Sequence, residues 1–486
     1  MLKRLLCADS VQSSEELRDR VVRIAQVLTE SHGVTPGTRV LLKAENSAAF
    51  VTVLLALIHA GASTVLIDPG QRAAETARAA GLAKVRLAVV DDEDTENIPW
   101  LPMVSGFELL AAAAARPPTG TAFELSTWAG LPDALVTWSS GSTGEPKGIV
   151  KSGRAMLRNL QRTIDRMGYG PDDVLLPLLP FSHQYGLSLV LISVLAGCSL
   201  AVAPYRRLDR SVRMAGRVGA TVVDATPSVF HLLLNLVERS PELASDLGRV
   251  RMYCTGGAPL PVQVTERFRA RFGRPLLDGY GSTEIGNVSF ATPANPVACG
   301  QVLPGVRVRV ATEDGEAAGP NTVGDLWVST PDRFTGYLGP DGEIVPSGKG
   351  WYRTADLALL DEHGNLSVLG RESAVHRSGH TLYPEIIERT AAQCGALVKV
   401  VPVPDPQLGH RLVFFVEDAQ DRPATYWRER VCAVLPPFEQ PNRLLVLAEF
   451  PLTGNGKTDW RRLLAIAEDA GPREERAAER DLSPAM

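Results

Sequence analysis

An alternation of short apolar runs near the start of the chain constrains its fold more than any other feature. Val40-Leu41-Leu42 has the length and content of a buried strand, 48–60 is an apolar helix stopped by Gly61, and Ser63–Ile67 resumes as a strand ending at Asp68-Pro69-Gly70. Strand, helix, strand at this spacing is the grammar of a βαβ unit, because parallel strands need a crossover that returns the chain to the same edge of the sheet. Leu17, Val21, Ile24 and Leu28, spaced by three and four, predict a helix over 14–30. Further apolar runs at 84–90, 134–138, 174–178, 199–203 and 220–223 read as strands, and 154–167, 208–217 and 228–237 as helices. The expected fold class is α/β, with layered βαβ subdomains in a large N-terminal region.

From 300 to 360 the pattern changes. Val306-Arg307-Val308-Arg309-Val310 alternates, Leu326-Trp327-Val328 is a second short strand, and glycines and prolines punctuate both. This predicts a small twisted sheet or partial barrel. Residues 364–371 read as the last turn and strand of the large body; 384–391, 397–403, 411–417, 425–433 and 443–447 then read helix, strand, strand, helix, strand. A chain of 486 residues exceeds a single hydrophobic core. The expected division is a large domain at 1–370 and a mobile α+β domain at 371–486, with a Glu-, Arg- and Ala-rich tail from about 468.

Composition removes several function classes. A net charge of −5 argues against a general nucleic-acid binder. The apolar stretch 185–203 is interrupted by Gly186, Ser188, Ser193 and Gly197, so it reads as a buried helix and strand and not a membrane span. The N-terminus lacks the apolar run of a signal peptide. Six cysteines, at 7, 198, 254, 299, 394 and 432, lack metal-ligand spacing and read as free thiols of a cytoplasmic protein. With 8 lysines against 42 arginines, each lysine draws attention.

Residues 137–148, Thr-Trp-Ser-Ser-Gly-Ser-Thr-Gly-Glu-Pro-Lys-Gly, place five hydroxyls, a flexible backbone and one ammonium directly after an apolar strand. That density suits a polyphosphate wrap, with Gly141 and Gly144 permitting close backbone approach, Ser139, Ser142 and Thr143 donating, and Lys147 reaching the outer phosphates. The spacing is not that of a Walker A loop. In Asp278-Gly279-Tyr280-Gly281-Ser282-Thr283-Glu284, a hydroxyl beside a carboxylate suits phosphate contact and Mg2+ ligation. Asp356, in Trp351-Tyr352-Arg353-Thr354-Ala355-Asp356, could accept both ribose hydroxyls. Lys457 ends the loop Pro451-Leu452-Thr453-Gly454-Asn455-Gly456-Lys457, and His183 sits among aromatics in Leu179-Pro180-Phe181-Ser182-His183-Gln184-Tyr185-Gly186.

Together these segments resemble, over nearly the whole chain, the AMP-forming adenylate-forming enzymes: acyl- and aryl-CoA synthetases, luciferases and peptide-synthetase adenylation domains. The closest resemblance is to the acyl- and aryl-CoA ligases. It implies that Ser140-Gly141-Ser142-Thr143-Gly144 with Lys147 holds the β- and γ-phosphates of ATP, and that Gly256-Gly257-Ala258 and Tyr280-Gly281 lie against adenine. It further implies that Thr283 contacts the α-phosphate, Glu284 ligates Mg2+, and Asp356 and Arg371 reach the ribose. Lys457 would bridge the attacking carboxylate and the α-phosphate, and His183 would border the acyl pocket as an orienting or gating group. Tyr185 and Phe230 are further pocket candidates.

The hinge departs from the family pattern. Ser373 and Ala374 stand where two acidic residues are usual, Arg377 stands where a lysine is usual, and the span to Gly379 is one residue short. Ser378-Gly379-His380 remains compatible with the thiol-binding face that relatives assemble after the small domain rotates. The resemblance therefore implies ATP-dependent adenylation of a small carboxylic acid and transfer to a thiol, either CoA or a phosphopantetheinyl carrier protein. The expected molecule is a monomer or homodimer without nucleic-acid or membrane partners. The alternatives are an aryl- or amino-acid adenylating enzyme that loads a carrier, with Asp224 available to an ammonium; activation of a non-carboxylate such as nitrite; and a non-enzymatic nucleotide scaffold. The last is disfavoured by the presence of Lys457 and Glu284.

Overall fold

The computed structural model describes residues 1–91, 98–138, 147–312, 314–371, 375–377, 380–405, 408–454 and 456–469. Two large sheets build the N-terminal domain. In the first, the strands Leu276–Ser282, Met252–Gly256, Val222–Ala225, Val174–Pro177, Ser199–Ala201 and Arg4–Leu6 lie side by side and parallel. Antiparallel Gly286–Phe290 and Gln301–Val302 extend one edge and Val11–Ser13 the other. The second sheet runs in the order Ile344–Pro346, Gly336–Leu338, Gly148–Lys151, Leu135–Trp138, Ser63–Ile67, Arg39–Lys43, Leu87–Val90 and Met103–Ser105, parallel from Leu135–Trp138 onward.

The expected βαβ unit is present. Arg39–Lys43 and Ser63–Ile67 pair in parallel through the crossover helix Ala48–His59, which Ser47 caps by accepting from the Phe50 amide at 3.0 Å. That helix is apolar on nearly every side because it is covered on every side. Its residues share one continuous core with the helices Ser14–His32, Gly153–Met167 and Gln184–Ala196 and with strand residues of both large sheets. The other face of the first sheet is covered by Leu208–Val218, Pro227–Arg239 and Val262–Phe272 around a second core. The apolar stretch near 185–203 forms the helix Gln184–Ala196 and the strand Ser199–Ala201, and no described helix is long and apolar enough to cross a membrane. All six cysteines are free.

The stretch 300–360 divides among three sheets instead of forming one, since Gln301–Val302 already belongs to the first large sheet. Arg307–Ala311, Gly324–Ser329, Tyr352–Leu360 and Leu366–Arg371 make a four-stranded antiparallel sheet. Between them, the hairpin Gly336–Leu338 and Ile344–Pro346 joins the second large sheet by pairing with Gly148–Lys151. Such a pairing across almost two hundred residues leaves no local periodicity, so a sequence pattern cannot reveal it.

The smaller C-terminal domain follows the expected order: Pro384–Ala391, Val398–Asp405, Gly409–Glu417, Ala424–Val434 and Arg443–Leu447. A further helix, Trp460–Asp469, packs Leu463 and Ala467 against Val401, Val403, Val413 and Phe415. The acidic and basic tail beyond it lies outside the described residues.

Candidate functional site

Neighbouring parallel strands of the first sheet end at Pro177, Ala225, Gly256 and Ser282, and the segments beyond their carboxyl ends carry His183, Gly257, Ala258, Thr283 and Glu284. This is where ligands bind in open α/β sheets, because the chain splays apart there and leaves a crevice.

Lys457 reaches this crevice from the C-terminal domain. Its loop is closed by Thr453 N donating to Lys457 O at 2.7 Å, and it is docked by Thr226 Oγ1 donating to Gly456 O at 2.8 Å. Thr226 is the residue directly after the strand Val222–Ala225, so the loop rests on a strand end of the large domain. Gly257 has φ +82°, and a Cβ built there would stand 3.5 Å from Lys457 Cε and 3.9 Å from Nζ. A glycine at this position both supplies the left-handed backbone and leaves room for the lysine. Gly257 thus meets Lys457 across two hundred residues of sequence.

His183 caps the helix Gln184–Ala196, its Nδ1 accepting from the Tyr185 amide at a long 3.5 Å. Burial and the nearby Lys457 charge lower its pKa to about 3. The ring is therefore neutral near pH 7, and with Nδ1 accepting, Nε2 carries the proton. Tyr185 donates to Asp224 Oδ1 at 3.0 Å, and burial raises Asp224 to about 7. Asp278, at the base of the Tyr280 segment, is likewise raised to about 7 by burial and accepts from Cys299 Sγ at 3.3 Å and the Gly279 amide at 3.0 Å.

On the opposite side of the crevice, Tyr280 donates to Asp356 Oδ2 at 2.5 Å. Asp356 follows Ala355, which takes φ 59°, a strained value for a residue with a side chain, and it pairs directly with Arg371 across antiparallel strands. Glu284 accepts from Ser282 Oγ at 2.9 Å and from Tyr337 OH at 3.4 Å, while Lys147 Nζ lies 5.6 Å from the centroid of the same Tyr337 ring. The exit of the Gly-rich loop and the Thr283-Glu284 pair therefore share one tyrosine. Residues 139–146, which include Ser139, Ser140, Gly141, Ser142, Thr143 and Gly144, lie outside the described residues; the flanking Trp138 and Gly148 pair antiparallel.

Lys151 escaped the sequence reading. It is buried, donates to the Thr283 carbonyl at 3.2 Å, and is lowered to about 8 by burial against the opposing pull of Asp332 and Glu284. The signal available was a rare lysine ending an otherwise apolar run, Gly148-Ile149-Val150-Lys151. Phe230 is not at the crevice; it stacks edge-on with Tyr253 and Phe268 in the core behind the first sheet. Helical periodicity marked it as apolar but could not choose its face. Arg377 is tied within the C-terminal domain, donating to the carbonyls of Phe438 at 3.0 Å and Gln440 at 2.7 Å. Residues 372–374, 378 and 379 of the hinge lie outside the described residues. Among the described residues, no group of three or more His, Cys, Asp or Glu side chains could hold a metal ion.

A profile of the family described as "AMP-binding enzyme" matches residues 6–338. A 4-coumarate–CoA ligase-like protein of Oryza sativa is 26% identical over 505 aligned positions, covering 95% of this chain and 85% of the relative. A salicyl-AMP ligase / salicyl-S-ArCP synthetase of Mycobacterium tuberculosis is 28% identical, covering 93% of this chain and 85% of the relative. Among solved structures, ATP-bound MatB from Rhodopseudomonas palustris superposes with a TM-score of 0.84 at 25% identity, covering 96% of both chains. The amide bond synthetase McbA from Marinactinospora thermotolerans superposes at 0.82 with 26% identity, covering 96% of this chain and 97% of the other.

Proposed function

The chain belongs to the AMP-binding enzyme family, and from that premise we propose that it adenylates a small carboxylic acid with ATP and transfers the acyl group to the thiol of CoA. The observation that carries this reading is the delivery of Lys457 to Gly257 and His183, with Tyr280, Asp356 and Glu284 across the same crevice. An ammonium is the group that a reaction between two anions requires.

In the first step a carboxylate oxygen of the acid attacks the α-phosphorus of ATP, and the bond to the bridging oxygen breaks as pyrophosphate leaves. Lys457 sits between the two reactants and offsets the charge that accumulates on the α-phosphate oxygens. His183, neutral, adds no second cation and offers its Nε2 proton to orient the acid. Asp356 and Arg371 hold the ribose, Tyr280 and the 256–258 turn face adenine, and Thr283 contacts the α-phosphate. Lys147 and the 139–144 segment hold the outer phosphates.

Glu284 fits Mg2+, because that ion binds through one or two carboxylates and takes its other oxygens from water and phosphate. When bound it neutralises charge on the leaving pyrophosphate. In the second step the thiol sulfur attacks the acyl carbon, the bond to the AMP oxygen breaks, and the thiol proton passes to solvent. We assign the ATP and acid sites to a large domain at 1–370 and the lysine to a small domain at 371–486. ATP and CoA as co-substrates fit a cytoplasmic enzyme.

The test is pyrophosphate release across aromatic, aliphatic, amino and inorganic acids, each with CoA, with a phosphopantetheinyl carrier protein, or with neither. We expect release with at least one organic acid, and thioester formation with CoA. Absence of release with every acid would refute adenylation, and thioester formed only on the carrier would move the acceptor from CoA to protein.

A further inference from the structure

The helix Pro227–Arg239 begins at the crevice and meets the segment that carries Lys457 at its cap, along its length and at its far end. Its cap, Thr226, donates to the Gly456 carbonyl at 2.8 Å, and a Cβ on Gly456 would stand 2.9 Å from both Thr226 Oγ1 and Val229 Cγ2. The loop therefore rests on the helix with no room for a side chain between them. Further along, His231 Nε2 meets Oε1 of Glu417, the last residue of the strand Gly409–Glu417 in the C-terminal domain. The other oxygen of that carboxylate accepts from the Phe450 amide at 2.9 Å, and Phe450 directly precedes the loop 451–457. At the far end Arg239 and Glu449 approach to 3.6 Å, but both are exposed and such pairs contribute little.

The donor at the middle contact follows from its neighbours. Arg267, on the helix Val262–Phe272, directs Nη1 at His231 Nδ1 at 3.3 Å, and its Nη2 donates to Asn235 Oδ1 at 3.0 Å and Glu238 Oε1 at 2.9 Å. A guanidinium has nothing to accept with, so Nδ1 accepts and the ring proton lies on Nε2. Nε2 therefore donates to Glu417; Asn235 Nδ2, 3.4 Å from the same nitrogen, is the longer contact. The side chains of His231 and Glu417 are 11% and 10% exposed, so this bond to a carboxylate is shielded from competing water. Glu417 thus joins the large domain through one oxygen and the root of the Lys457 loop through the other.

We infer that His231 and Glu417 are positioning residues for Lys457. The bridge from His231 through Glu417 to the Phe450 amide fixes one end of the loop, and Thr226 fixes the other at Gly456. The inference rests on the role proposed for Lys457 and deepens it. An ammonium on a long side chain offsets developing charge only where its backbone is held, and a misplacement of about 1 Å is enough to slow a reaction. None of the bridge's hydrogen bonds goes to Tyr280, Asp356 or Glu284, so its loss acts on turnover and not on the binding of ATP.

The experiment uses the full chain and two readouts. Steady-state pyrophosphate release with a reactive acid gives kcat and the KM for ATP. Hydrogen–deuterium exchange of peptides spanning 450–457 follows the loop without turnover. In His231→Ala, kcat should fall about tenfold with the KM for ATP within about twofold, and loop exchange should rise about tenfold. His231→Gln, whose amide can donate from near the Nε2 position, should bring both back to within about threefold of the wild type. In Glu417→Gln one acceptor oxygen stands in place of two, so it serves His231 or Phe450 but not both, and it should behave like His231→Ala.

An unchanged kcat in a folded His231→Ala overturns the inference, whether or not the loop exchanges faster. So does a fall in kcat with loop exchange unchanged, or a loss confined to the KM for ATP. An equal loss in His231→Gln would make the histidine a packing residue and overturn it as well. If His231→Ala does not fold, Glu417→Gln decides by the same criteria. Variants that keep kcat while the wild type releases pyrophosphate overturn this inference alone, whereas a wild type that releases none with any acid overturns the adenylation reading and this inference with it.

Discussion

The two sides of the crevice are built on opposite electrostatic plans. On the side we assign to the nucleotide, Tyr280 with Asp356 and Ser282 with Glu284 form partly buried pairs whose carboxylates are satisfied by hydrogen bonds. On the acid side, His183, Tyr185, Asp224 and Asp278 are desolvated and their pKa values are displaced by burial. The difference teaches that the first side is suited to a ligand that brings its own charges, whereas burial favours the neutral forms of the groups on the second. Lys457 stands where the two plans meet.

The largest effect tests that junction. Lys457→Ala should lower the rate of pyrophosphate release by about 10²–10³-fold, the range seen when a donor to developing charge is removed. Steady-state kinetics with any reactive acid checks it, and an unchanged rate would separate the lysine from the chemistry.

Next comes Lys151, the buried support of the nucleotide side. Lys151→Met should cost about 2 kcal/mol in urea unfolding, because the Thr283 carbonyl loses its buried donor. The KM for ATP should rise by about tenfold, corresponding to roughly 1.4 kcal/mol lost at the Thr283-Glu284 segment. Since Asp332 keeps Arg158 and Arg162 as partners, the variant should still fold. A loss of stability with ATP affinity intact would make Lys151 a packing residue alone.

The smallest effect tests the desolvated side. Asp224 is raised from 3.8 to about 7, so the folded chain holds a proton that the unfolded chain has released. Its contribution is fully present below 3.8 and is lost as pH rises through about 7. His183, depressed from 6.5 to about 3, acts in the opposite direction: below 6.5 the unfolded chain takes a proton that the fold refuses, so stability falls as pH falls. The difference between wild type and Asp224→Asn isolates the aspartate. The wild-type melting temperature should fall relative to the variant by roughly 2 °C or more between about pH 4 and about pH 7. Parallel melting curves would mean that Asp224 ionises freely in the fold.

The legibility of the molecule in its sequence follows the same division. The βαβ unit around Ala48–His59, the helix and strand near 185–203, and the order of the C-terminal elements were readable because each rests on local periodicity and its breakers. The residues proposed to face the nucleotide stand out in the sequence as motifs, because each short segment carries its own chemistry. The hairpin at 336–346, the buried Lys151 and the packing of Phe230 were not, since each depends on a partner far away in the chain or on which face of a helix is covered.

The sequence by itself determined that this chain would form layered α/β units and carry the residue types of an adenylation site, because local pattern and residue chemistry decide those. Only the tertiary structure decided that Lys457 meets Gly257, that Lys151 lies beneath Thr283, and that Asp224 keeps one oxygen unpaired. The reason is physical: burial, and the shifts in charge that burial causes, come from groups that the sequence leaves far apart and folding brings together.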